Sequence, residues 1–144
     1  MLTLLLACTA DPTEPVEVHH SHAEEEQLSI TPRGIGPYRM GRSRSEILAL
    51  PHAEPRPDGS VAFRGIVVVF DDGVACEVTL SVPGLTTAAG MEVGLSLAEF
   101  TRAHGEPISD GDLLTFENAT WMRVRPDGAA PPSAAAIVLG VCGK

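Results

Sequence analysis

A short pattern that occurs twice constrains this chain more than any other feature. Met40-Gly41-Arg42-Ser43-Arg44-Ser45-Glu46-Ile47 lies on Val93-Gly94-Leu95-Ser96-Leu97-Ala98-Glu99-Phe100, 53 residues further on. Both copies read apolar-Gly-x-Ser-x-x-Glu-apolar. Ser-x-x-Glu is a capping box: the serine hydroxyl accepts from the backbone N–H three residues on, and the glutamate reaches back to the serine N–H. Each copy therefore predicts the start of a short helix. In the second, Leu97, Phe100 and Ala103 fall on one face, and Gly105 with Pro107 supplies a stop. In the first, Ile47 and Leu50 take the matching positions and Pro51 ends the helix.

Strand-like sequence follows each helix. Ile66 to Phe70 and Val74 to Ser81 flank Asp72-Gly73, the dipeptide that supplies the positive φ angles of a tight hairpin turn. Val74, Cys76, Val78 and Leu80 alternate with Ala75, Glu77, Thr79 and Ser81, which predicts one buried and one wetter face. The second set is Leu113 to Phe116, Thr120 to Arg125 and Ala134 to Val141, with a longer connection through Asp127-Gly128 and Pro131-Pro132. One short helix does not cover a meander. The expected fold is therefore α+β: two repeats of a helix followed by an antiparallel strand meander, with the helices packed on one sheet. The folded part is expected over residues 28–144 as a single two-repeat domain, a length that supports a modest core.

The N-terminal 27 residues have another character. Met1 to Cys8 is an apolar run, too short to span a bilayer, which takes roughly 20 apolar residues. It reads as the end of a signal peptide cut before Cys8; the alternative is an apolar N-terminus with a chance cysteine. Residues 9–27 carry Asp11, Glu14, Glu17, Glu24, Glu25 and Glu26 and almost no bulky apolar side chains, the composition of a disordered acidic tether. The net charge of −9 belongs mainly to this stretch: without its six acids the remainder has 13 acids against 10 bases. No basic stripe is available to neutralise phosphates, which argues against a nucleic-acid partner.

With Cys8 assigned to lipid, Cys76 and Cys142 are left as a candidate disulfide for an oxidising compartment; the alternative is two separate buried thiols. His19, His20 and His22, flanked by glutamates, are a candidate ligand set for weak binding of Zn²⁺, Cu²⁺ or Ni²⁺, since a tether provides no fixed partners to orient the imidazoles. No resident cofactor is expected. Enzyme signatures are missing: there is no Gly-x-Ser-x-Gly elbow, no His-Glu-x-x-His pair and no phosphate-binding glycine loop. His52 and His104 sit near the expected helix ends, where a cation favours the last carbonyls. Asp71 and Asp72 read as turn residues, and Asp110 and Asp112 as loop acids. Trp121, Arg123 and Arg125 alternate on one strand face and, with Tyr38 and Arg39, form a candidate aromatic and guanidinium interaction surface.

Leu5-Leu6-Ala7-Cys8 resembles the lipobox of bacterial lipoproteins. Behind it, the two Gly-x-Ser-x-x-Glu helices with their meanders resemble small envelope lipoproteins of the SmpA/OmlA type and the related beta-lactamase-inhibitor-protein-like fold. The phrase Gly34 to Gly41 is similar to the opening of bacterial lipoprotein domains. The resemblance runs from about Ile30 to Leu139 and implies a binding surface without chemistry, attached through a lipid anchor and facing an envelope protein partner in the periplasm. Thr9 follows the lipid cysteine in place of an aspartate, which favours the outer membrane. The expected function is that of a non-enzymatic, membrane-anchored envelope lipoprotein; a metal-binding lipoprotein using the histidine tether and an envelope hydrolase are the alternatives.

Overall fold

The computed structural model describes residues 28–142. Three two-residue strands come first: β1 (Ile30–Thr31), β2 (Gly34–Ile35) and β3 (Tyr38–Arg39), paired in that order as a small antiparallel sheet. Gly34, at φ 148°, lets β2 and β3 close up, since a Cβ there would sit against the Tyr38 carbonyl oxygen. Helix α1 (Arg44–Leu48) follows, then β4 (Glu54–Pro55), β5 (Val61–Phe63), β6 (Ile66–Asp71) and β7 (Val74–Leu80). Helix α2 (Leu97–His104) leads into β8 (Pro107–Asp110), β9 (Leu113–Phe116), β10 (Ala119–Pro126) and β11 (Ala134–Gly140). The last eight strands form one antiparallel sheet in the order β4-β5-β6-β7-β11-β10-β9-β8. The described residues are thus an α+β arrangement dominated by antiparallel sheet.

Both helices begin as the serines dictate. Ser43 Oγ accepts from the Glu46 N–H at 3.2 Å and Glu46 Oε1 accepts from the Ser43 N–H at 3.0 Å, a complete capping box. Ser96 Oγ accepts from the Glu99 N–H at 3.2 Å, but Glu99 Oε1 accepts from Arg102 Nη1 at 2.8 Å. The expected back-reach of Glu99 is thus replaced by an ion pair one turn along the helix. Ala103 is exposed, and the apolar face of α2 runs instead through Phe100 and His104, four apart.

The same backbone contacts fasten both helix entries to the sheet. Gly41 N–H donates to the Ala75 carbonyl and Ala75 N–H to that of Arg42, each at 2.8 Å; Gly94 donates to Ala134 and Ala134 to Leu95, each at 2.9 Å. Arg44 N–H reaches the Gly73 carbonyl, and Leu97 N–H that of Pro132.

Directly paired residues share a face, so the register exposes the core as rows crossing the sheet. Val61, Val68, Val78, Leu139 and Met122 make one row, all fully buried; Ile66, Leu80, Ile137 and Val124 make the next. Phe100 packs on Phe116 with ring centroids 5.8 Å apart, and Ile47, Ile30, Ile35, Tyr38, Met91 and Val93 join the same cluster. Among the described residues, every buried apolar side chain outside the large sheet belongs to this cluster.

The alternation expected for Val74 to Ser81 is broken. Val69 pairs with Glu77 and Phe70 with Ala75, which leaves Cys76 as the extra residue of a bulge. Val74 is therefore exposed, and Ala75, Val78 and Leu80 are the buried set. At the β6–β7 turn Asp72 and Gly73 take φ 58° and 79°, the left-handed pair that the Asp-Gly dipeptide predicts. The longer β10–β11 connection is organised by Asp127, whose carboxylate accepts from the Ala129 and Ser133 N–H groups at 2.9 and 3.0 Å. Those bonds, Ser133 first, hold its carboxyl below the usual aspartate range.

Candidate functional site

The outer sheet face, opposite the core, is crossed by the row Ala62, Val67, Thr79, Val138 and Arg123, each paired with the next across its strand boundary. Val67, Val69 and Thr79 are half-buried at its centre. Leu113, Ala136 and Val138 are the three buried apolar residues of the described chain that stand outside the main core cluster. All three lie in the sheet, and Val138 and Ala136 face the same way as their partners Arg123 and Arg125. Among the described residues, no buried apolar side chain from a loop or helix is grouped with them.

On β10, Trp121, Arg123 and Arg125 do alternate with buried Met122 and Val124. Their environments differ. Trp121 is half-buried and touches the core cluster; Arg125 is exposed. Arg123 has a side chain only 17% exposed, donates to the Gly140 carbonyl at 2.5 Å, and lies 3.9 Å from Glu77 and 4.0 Å from Asp110. Its guanidinium is committed to partners within the chain, so it braces β8, β7 and the end of β11. Asp110, expected in a loop, ends strand β8 and takes part in this cluster.

Tyr38 corrects the expected patch. It is buried, stacked on Phe63 at 5.1 Å, and belongs to the core. Burial pushes its phenol pKa up, with the Arg64 charge opposing. Arg39 is exposed and lies elsewhere, in a cleft of about 990 Å³ that it shares with Arg33 and Arg42 against walls from Pro32, Pro37 and Leu50. Arg39 Nε donates to the Gly36 carbonyl and Arg42 Nη1 to that of Pro37, each at 3.1 Å. Among the described residues none of these three guanidiniums has a salt bridge. The sequence reading missed this cleft. Its signal was present: Gln27 to Ser45 contains four arginines and no acid.

Cys76 and Cys142 are joined in a disulfide, their Cα atoms 5.0 Å apart and 66 residues apart in sequence. The bulge at Cys76 turns that side chain out of the ladder, and both sulfurs lie against the Val69 carbonyl. His104 is buried at the end of α2, and its Nε2 has no hydrogen-bond partner. His52 is exposed at φ 65°, a turn position after α1. Among the described residues no group of three His, Cys, Asp or Glu could hold a metal ion, and no helix is long and apolar enough to cross a membrane. Cys8 and the histidines His19, His20 and His22 lie outside the described residues.

No family model matches the chain, and no curated protein or solved structure does either.

Proposed function

We propose that this chain is a lipoprotein of the bacterial cell envelope, acylated at Cys8, that performs no chemistry and binds an envelope protein through the outer face of its large sheet. The observation that supports this reading is the asymmetry of the sheet: among the described residues, loops and helices bury their apolar side chains with the inner cluster, leaving Val67, Val69, Thr79 and Arg125, with Trp121 half-buried against the core cluster, for a partner. An apolar centre beside a half-buried tryptophan and rimmed by charge is the anatomy of a protein interface.

Two duplicated helix-plus-meander units, the second half of the proposal, account for that asymmetry. Moving Gly41, Arg42 and Arg44 on by 53 gives Gly94, Leu95 and Leu97, which make the equivalent hydrogen bonds. Moving Val78 and Leu80 on by 59 gives Ile137 and Leu139, and the register pairs Val78 with Leu139 and Leu80 with Ile137. The halves thus meet at β7 and β11 about a local two-fold axis through the Thr79–Val138 pair. The larger shift at the strands reflects the longer β10–β11 connection. Each unit brings one helix to the inner face, and among the described residues neither adds a buried apolar side chain from a loop or helix to the outer one.

The test is recovery of the protein from envelopes of its native host. Mass spectrometry is expected to find an N-terminal peptide that begins at Cys8 and carries acyl chains, with the protein in the membrane fraction. A bare Cys8 thiol in protein from the cytosolic fraction would refute the assignment.

A further inference from the structure

We propose that the arginine cleft binds a phosphate monoester, a ligand separate from the protein partner assigned to the outer sheet face. Arg33 comes from the β1–β2 turn, Arg39 from β3 and Arg42 from the entry to α1, so three consecutive pieces of chain bring their guanidiniums to one cleft. None of the residues that line it is an acid, and among the described residues none of the three arginines has a salt bridge. The first carboxylate that follows them, Glu46, is engaged by the Ser43 N–H. Like charges gathered in this way repel one another, and an anion placed among them offsets that repulsion. Arg44 completes the run but not the site: its Nε donates to the Gly59 carbonyl at 3.0 Å, and it does not line the cleft.

The donor set selects the class of anion. Arg39 Nε donates to the Gly36 carbonyl and Arg42 Nη1 to that of Pro37, which fixes the planes of two forks and leaves further N–H groups for a ligand. A carboxylate is filled by a single fork. A phosphate monoester presents three terminal oxygens and about two negative charges, enough for one oxygen per guanidinium. The cleft of about 990 Å³ falls in the range of roughly 300–1,000 Å³ for sites that hold small organic ligands, and Pro37 and Leu50 give it apolar surface for the carbon skeleton behind the ester oxygen. Soluble phosphomonoesters and the headgroup of phosphatidic acid share this chemistry and differ in what the glycerol carries.

The experiment titrates glycerol phosphate, acetate and the short-chain lipid dihexanoyl phosphatidic acid into the full-length chain, followed by ¹⁵N–¹H spectroscopy. Glycerol phosphate is expected to move the Nε–H signals of Arg33, Arg39 and Arg42 and the amides of Gly36 and Gly41 to saturation, leaving those of Val68, Val78 and Leu139 in place. It should bind about tenfold more tightly than acetate. Arg33→Gln with Arg39→Gln, both at exposed positions, should weaken that binding by about tenfold or more. Arg56→Gln with Arg102→Gln removes the same charge from exposed positions outside the cleft and should leave the affinity within about twofold of the parent. Tighter binding of the diacyl form than of glycerol phosphate supports the site with a lipid headgroup as ligand; equal or weaker binding supports it with a soluble phosphomonoester. Acetate binding as tightly as glycerol phosphate overturns the proposal. So do cleft signals that never saturate, a first double variant that binds like the parent, and equal losses in the two double variants, which would show attraction to net charge alone.

Discussion

Replacing Cys76 and Cys142 together by alanine lowers the stability of the protein by about 4 kcal/mol, the chain-entropy value for a loop of this length. The bridge joins residues 66 apart and ties the bulge of β7 to the end of β11, the two strands at the centre of the large sheet. Its main effect is on the unfolded chain, which otherwise gains the full freedom of everything between the two cysteines. Thermal unfolding should show the midpoint falling by about 15 °C in the double variant, and the oxidised parent should approach that value once reductant is added. A loss under about 1 kcal/mol would mean that the crosslink does not restrict the unfolded ensemble as the loop length requires.

Phe100→Ala should cost about 3–5 kcal/mol, the range for deleting a fully buried ring. Phe100 is the one large apolar side chain that α2 buries completely, and its ring rests on Phe116 of β9. Without it, the helix keeps its Ser96 cap but loses most of the apolar contact that holds it to the sheet. An eight-residue helix does not persist on capping alone. Hydrogen exchange should therefore show α2 amides opening together while those of Val68, Val78 and Leu139 keep their protection. Urea unfolding of the variant checks the magnitude, and Phe100→Leu should recover more than half of the loss because it refills most of the space. A cost near 1 kcal/mol would mean that α2 is anchored elsewhere.

Local chemistry made the helices and the hairpin legible. Ser43 and Ser96 announce helix starts because a hydroxyl at that backbone position meets an otherwise unpaired N–H, whatever surrounds it. Asp72-Gly73 announces its turn because two left-handed residues fit the twist of paired strands. The alternation of Trp121, Arg123 and Arg125 with Met122 and Val124 gave the orientation of β10 for the same local reason.

What was not legible depended on the third dimension. The bulge at Cys76 is a relation between β6 and β7, and no residue on either strand signals it alone. β4 and β8 have both faces exposed at the sheet edges, so neither carries an apolar period to read. Tyr38 looked like an interface residue until the small sheet folded its ring onto Phe63. Arg123 looked free until Glu77 and Asp110, from two other strands, were brought beside it. The arginine cleft stood in the sequence as Arg33, Arg39 and Arg42 in a segment without an acid, but the prolines and Leu50 that make it concave come from separate turns.

The claim that the outer sheet face is the binding face is tested most directly by comparing partner retention in three otherwise identical proteins isolated from the native host: the parent chain, Val67→Lys with Trp121→Ala, and a helix-side control, Arg102→Gln. Binding through the sheet predicts that the first and third retain the same partner, and that the double variant, folded by its circular dichroism, loses it at least tenfold, equivalent to about 1.4 kcal/mol of affinity. Equal retention by all three chains would contradict the account.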